Sequence, residues 1–353
     1  MNKDNETVDT PTVAVVFVTY GDRLSLIQAT TQKVLSFKSV AAVIIVDNGS
    51  STALDLDHFA GDERVKITRS ARNLGSAAGF RLGIEQAGNE NGIDYVAILD
   101  DDNLVSDNYF DALIELHREL GGSDKVAFCA VRSDREQYMR LLSDARKVHH
   151  VPGSFMGFDV PSLVKRGLAK LARRRDPAAQ VRLRIIDRAP YGGLFLPAAC
   201  ISDAGLPRTD FVLYGDDHEY TRRLSQNGVQ IYLTDIVSIS DIDQSWVTVK
   251  NSGSRWIDTS APRWRIYYAA RNQHYIELTE PKAKFALKLN KSVLLARLYA
   301  EALIKHRSLA AANVALAPFR AAIRDASIGR LGTSPEYPLP MLQDADDERG
   351  SQA

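Results

Sequence analysis

The sequence predicts an α/β protein: a mostly parallel, doubly wound central sheet flanked by helices, followed by a C-terminal helical extension. Three observations carry this. Short β-branched runs alternate with helix-period patterns over the first 130 residues, without hairpin signals between them. Polar clusters recur where those runs end, which is where ligands bind in such sheets. After Pro262 the pattern is helical only.

Val13–Thr19 (VAVVFVT) reads as a fully buried strand, and apolar residues then recur at helical spacing over Leu24–Phe37. Ala42–Asp47 (AVIIVD) is a second strand, closed by the turn Asn48-Gly49-Ser50-Ser51, and Val65–Thr68 is a weaker third. Ala77–Gln86 reads as a helix, Tyr95–Asp100 (YVAILD) as the fourth strand, and Ser106 caps a helix reaching Leu120. Lys125–Val131 is a fifth strand. Periodicity then fails from Ser133 to Arg188. Gly192–Leu196 and Ile231–Leu233 resume as strands around a helix over Asp216–Asn227, which Gly228 stops. Three helices follow, Trp264–Leu278, Ala283–Lys305 and Ser308–Ala326, and no internal repeat is present. The expected division is a disordered tail over 1–11, an α/β domain over 12–260 made of 12–131, a basic variable segment over 132–190 and 191–260, then a helical region over 261–330 and a polar tail over 331–353.

Lys plus Arg number 44 and Asp plus Glu 44, a balance that argues against a nucleic-acid binder working through bulk charge. Cys129 and Cys200 sit in apolar stretches without metal-like spacing and read as reduced and buried, which suits the cytoplasm. The N-terminus lacks a signal-peptide core, and no apolar run is long enough to span a bilayer.

Asp100-Asp101-Asp102 closes an apolar strand. Adjacent carboxylates repel, burial would raise their pKa values, and something cationic should compensate. Such a triplet is also found as a solvated acidic turn; its place after YVAIL favours Mg²⁺ or Mn²⁺ held by Asp100 and Asp102, which share a side at i, i+2. A second cluster, Asp216-Asp217-His218-Glu219, opens a helix. Acidic residues there often do no more than favour the positive end of the dipole. The functional reading is a general base for an acceptor hydroxyl.

Six segments in order, Thr19-Tyr20, VDNGSS (Val46–Ser51), RNLGSAAGF (Arg72–Phe80), ILDDDN (Ile98–Asn103), YGGLFLP (Tyr191–Pro197) and GDDHEYTRR (Gly215–Arg223), resemble glycosyltransferase family 2 over roughly residues 12 to 280. The nearer likeness is to bacterial galactofuranosyl- and rhamnosyltransferases. The resemblance implies a GT-A fold and inverting transfer from a nucleotide-diphosphate sugar, UDP- or dTDP-linked, to a cell-surface glycan or lipid-linked acceptor. It implies that Thr19, Tyr20 and Asp47 line the base pocket, that Arg72 and Asn73 face the nucleotide or diphosphate, and that Asp101 meets the ribose. Gly193 would lie against substrate, Asp216 and Glu219 near acceptor hydroxyls, and Asp217 would be the base. Asp100 and Asp102 match the metal-binding pair for Mn²⁺ or Mg²⁺. The histidine that often completes it is missing; Asp241 is expected in its place, with Asp243 as the alternative.

Nine Lys or Arg against two Asp between Lys165 and Arg188, with interleaved leucines, suit either a solvated helix face or contact with anionic lipid, and the basic C-terminal helices suit membrane contact or a second copy of the chain. The expected location is cytoplasmic, peripheral on the inner membrane face. Trp246 and Trp256 are candidate acceptor platforms. Two other classes compete: a sugar nucleotidyltransferase, which would need a Gly-rich loop that Thr19–Arg23 does not supply, and a catalytically silent carbohydrate-binding protein on the same fold.

Overall fold

The computed structural model describes residues 10–132, 136–143, 150–161, 182–243, 255–280 and 283–339. Strands β1 (Val13–Gly21), β2 (Val40–Ser50), β3 (Val65–Ser70) and β4 (Tyr95–Asp100) form a parallel half-sheet in the order β3-β2-β1-β4. Alternate residues of β1 serve two cores. Val13, Val15 and Phe17 meet Ile27 and Val34 of α1 (Leu24–Leu35) and Phe110 and Leu113 of α3 (Tyr109–Glu119). Ala14, Val16 and Val18 meet Phe80, Ile84 and Ala87 of α2 (Ser76–Asn89) on the other face. Burial on both faces is why these strands read as unbroken apolar runs. α2 lies so close to β1 that a Cβ at Gly79 or Gly83 would come within 2.6 or 2.5 Å of Val18 or Val16.

The sheet continues β4-β8-β6-β9-β5, with β7 also paired to β9. These strands are β5 (Asn103–Val105), β6 (Val126–Arg132), β7 (Leu183–Ile186), β8 (Leu194–Pro197) and β9 (Gln230–Asp241). β6 and β9 run parallel, whereas β8 enters antiparallel to both β4 and β6, and β5 and β7 are antiparallel to β9. The parallel pattern thus holds where helices supply crossovers and yields where short strands arrive without one. Four elements escape the sequence pattern: β5, β7, α4 (Glu136–Ser143) and α5 (Ala199–Ala204). β9 is also far longer than Ile231–Leu233, and β2 runs on through Asn48 and Gly49, because Asn48 still pairs with Ser70 of β3.

α6 (Asp216–Gln226) packs on α5, and α7 (Arg263–Thr279), α8 (Lys284–His306) and α9 (Leu309–Ser327) build a third core around Tyr267, Leu294, Leu298 and Phe319. Trp256 is buried against Phe319 in this core, ring centroids 5.1 Å apart, so it is no acceptor platform; Trp246 lies outside the described residues. Tyr337 stacks on Tyr267 at 4.5 Å, so the chain remains packed past residue 331. No helix among the described residues is long and apolar enough to cross a membrane.

Most of the basic segment, residues 162–181, lies outside the described residues. Of its described end, Arg182 pairs with Asp235 at 3.1 Å, Arg184 donates to the carbonyl of Leu141 at 2.8 Å, and buried Arg188 pairs with Glu280 at 2.7 Å. Arg184 and Arg188 are turned into the fold, whereas Arg182 stays largely exposed beside Asp235.

Candidate functional site

The carboxyl ends of β1, β2 and β4 share one edge, with Thr19 beside Asp47 and Val18 beside Asp100 in register. Asp47 is fully buried and accepts from the amides of Ser50 (2.7 Å) and Leu54 (3.2 Å), shaping the loop after β2. Thr19 is buried as well and donates to Asp101 at 2.6 Å, while Tyr20 is 47% exposed. Arg72 is exposed, and the Asn73 side-chain oxygen accepts from the Gly75 amide at 2.8 Å. Of the expected base-pocket and phosphate residues, Tyr20 and Arg72 therefore face solvent, whereas Thr19, Asp47 and Asn73 hold the loops that carry them.

The acidic triplet meets the expected cation, and it is arginine. Arg23 grips Asp101 through Nε (3.0 and 2.8 Å) and Nη2 (2.8 Å), and reaches Asp102 at 3.3 Å and Asp243 at 3.2 Å. Buried Arg132, the last residue of β6, donates from Nη2 to Asp100 and to Asn103 (3.2 Å), and its Nη1 lies 3.6 Å from Asp241. Asn103 stands opposite Asp241 in the β5–β9 register and donates to it at 2.9 Å. Asp101, only 5% exposed, has both oxygens engaged. Five carboxylates thus gather round two guanidiniums. The shortage of positive charge shows in Asp102, which burial and the neighbouring Asp100 and Asp101 push up to about 7.

That deficit, and the hard oxygen donors that cause it, fit a divalent cation. Among the described residues no three carboxylate, imidazole or thiolate groups gather closely enough to hold one alone. An ion of the Mg²⁺ or Mn²⁺ type normally takes one or two carboxylates and completes its shell with phosphate oxygens and water, so the set is compatible with such an ion.

The second acidic group opens α6. Val212 and Tyr214 both adopt left-handed backbone (φ 65°), and Gly215 (φ 75°) then starts α6. Non-glycine residues hold such conformations only where their surroundings enforce them. Here Asn272 of α7 donates from one amide nitrogen to the carbonyls of Phe211, Leu213 and Tyr214 (2.8, 2.9 and 2.7 Å), and Arg271 adds a bond to Phe211 at 3.0 Å. The turn presents Asp216 and Asp217 at the helix start. Asp216 is buried, accepts from Ser76 at 3.1 Å, and is driven well above the usual carboxylate range by burial, by Asp217, and in part by Asp100. That last influence puts Asp100 within electrostatic reach of Asp216. Asp217 is half-buried and accepts from the His218 amide at 2.7 Å. Glu219 accepts from Arg223 at 2.8 Å. Gly193 joins the groups, donating to the carbonyl of Ile98 on β4 (3.1 Å) and accepting from Ala130 on β6 (2.9 Å). Burial lifts both thiols, Cys129 and Cys200, to about 12, so neither is a ready nucleophile.

Sequence reasoning did not single out Arg23, Arg132, Asn103 or Asn272. The signal open to it was Arg132 itself, a charge closing the buried run VAFCAV at the same sheet edge.

Residues 14–166 match the family model described as Glycosyl transferase family 2. No curated protein matches the sequence. Among solved structures, GalNAc-T7 with UDP, GalNAc and Mn2+ is similar with a TM-score of 0.51 at 14% identity, covering 78% of this chain and 49% of that one. This chain therefore spans about half the length of that structure. The mannosyltransferase PcManGT from Pyrobaculum calidifontis, in complex with GDP-Man and Mn2+, is similar at 15% identity and a TM-score of 0.49, over 93% and 78% of the two chains. S. aureus TarS 1-349 is similar at 12% identity and 0.49, over 90% and 83%. The fold is GT-A, with a C-terminal helical region.

Proposed function

We propose that this glycosyltransferase moves a sugar from a nucleotide diphosphate to a carbohydrate hydroxyl in a single inverting displacement, with Asp217 as the base. What supports it most is the electrostatic nearness of the two acidic groups, with Asp100 among the charges that raise Asp216. Exposed Tyr20 and Arg72 flank the donor edge, where a ring can stack on the base and a guanidinium can meet phosphate oxygens. Asp216, whose burial favours its neutral form, is placed to hydrogen-bond an acceptor oxygen while Asp217 takes the proton from the attacking hydroxyl. Tyr214, 39% exposed and parallel to Trp264, offers a sugar-stacking face beside them. Asp102 and Asp100 would be the one or two carboxylates that hold a divalent cation, Mn²⁺ or Mg²⁺, with Asp241 beside them, and its chemistry is to neutralise charge on a departing diphosphate. Arg132 and Arg23 hold those carboxylates in place. UDP- or dTDP-linked galactofuranose and rhamnose are the donors to test first, with glycan or lipid-linked glycan acceptors.

The experiment is Asp217→Asn, assayed for nucleotide release and, separately, for donor binding by calorimetry. Turnover should fall at least a hundredfold, the usual contribution of a positioned base, with donor affinity unchanged. Wild-type turnover in this variant would remove Asp217 from the role, and a product of retained anomeric configuration would remove the single displacement.

A further inference from the structure

α8 buries one side and leaves an apolar stripe on the other. Leu287, Leu294, Leu298 and Ala302 enter the third core. Phe285, Leu289, Val293, Ala296, Ala300 and Ile304 face solvent at spacings of four, four, three, four and four. That repeat is one continuous helix face, about 29 Å long at the helical rise. Its ends are the most exposed, Phe285 at 82% and Ile304 at 77%, and on the next helix Leu309 and Val314 are also exposed, at 64% and 61%. Single exposed apolar residues need no explanation, but a stripe of this length does.

The charge beside the stripe has one sign. Lys284, Lys288, Arg297, Lys305 and Arg307 are exposed along it, and the one acid of α8, Glu301, is half-buried and paired with Arg297 at 2.6 Å. Among the described residues no ion pair engages Lys284, Lys288, Lys305 or Arg307. A second copy docked here by two-fold symmetry would set like charges against like. An anionic bilayer satisfies both features at once, taking the apolar ridge into its headgroup boundary and the lysines and arginines onto its phosphates.

We infer that the outer face of α8 is a docking surface for an anionic lipid bilayer, with the helix lying in the membrane plane. This goes beyond the transfer chemistry proposed above and does not depend on it.

The test is flotation of the full-length protein with vesicles of phosphatidylcholine and phosphatidylglycerol, and with phosphatidylcholine alone. The wild type should float with the anionic vesicles only, and less at high salt. Lys284→Gln/Lys288→Gln/Lys305→Gln should weaken partitioning about a hundredfold, at roughly fivefold per charge. Phe285→Glu/Ile304→Glu should abolish it, while thermal melting shows both variants folded. Failure of the wild type to float, or equal flotation by the variants, overturns the inference. So does a wild-type dimer by light scattering that Phe285→Glu/Ile304→Glu converts to monomer, which would assign the stripe to a second copy.

Discussion

Gly75 at the start of α2 touches the Val212 turn that precedes α6, and Gly75→Ala should separate them. Its backbone (φ 86°, ψ 163°) lies in a region essentially confined to glycine, which costs a side chain about 1–3 kcal/mol. An added Cβ would also sit 2.1 Å from the carbonyl oxygen of Val212 and 2.8 Å from its carbon. Both are backbone atoms, and Val212 cannot retreat easily. Its carbonyl accepts from Ala77 at 3.2 Å, and Asn272 holds the carbonyls on either side. Giving up two such bonds adds about 2 kcal/mol. The sum, roughly 3–5 kcal/mol, is a large share of a typical folding free energy. Gly61→Ala is the control, because Gly61 also has positive φ (68°) but nothing within 4 Å of its added Cβ. Urea unfolding should show Gly75→Ala shifted at least about 2 kcal/mol further than Gly61→Ala, with little change in slope. Below its melting range the variant should lose kcat more than donor affinity, since the displaced loop carries Asp216 and Asp217. Equal midpoints for the two variants would refute the close contact.

Two further substitutions probe the charge balance. An acid whose folded pKa is raised weakens the fold as pH climbs from its ordinary value near 4 through about 7, so Asp102 should cost stability in full above neutrality. With allowance for its solvent-facing part the cost is about 2 kcal/mol. Asp102→Asn should therefore stabilise cation-free protein at pH 8 and change little at pH 4; a urea midpoint lower than wild type at pH 8 would contradict this. Arg132→Met strands Asp100 and Asp241 beside each other and should cost about 3–5 kcal/mol in chelator. Added Mn²⁺ should stabilise this variant more than wild type in thermal melts, and an identical response would show that the arginine and an ion do not share those carboxylates.

The half-sheet β1–β4 was legible because both its faces are buried, which writes VAVVFV and AVIIV as apolar runs. β5 and β7, three and four residues long, are too short for any period to show. β9 hid its length behind Thr234, Asp235, Ser238 and Ser240, since an edge-paired strand tolerates polar side chains. The need for a cation at Asp100–Asp102 was readable from like-charge repulsion. Its source was not: Arg23 lies 78 residues from Asp101, and nothing local distinguishes it from a surface arginine. Nor could sequence place Val212 or Tyr214 in left-handed backbone, because neither residue type favours it and distant residues, Asn272 and Arg271, enforce it.

Asn272 ties the C-terminal helices to the turn that carries Asp216 and Asp217, so they are more than an appendage. One amide staples three carbonyls about sixty residues upstream, so a chimera that exchanged only the 205–227 segment would import a loop stripped of its fastener. Loop and brace form one structural unit, and a change at Asn272 or Arg271 of α7 would reach the turn before Asp216 and Asp217 directly.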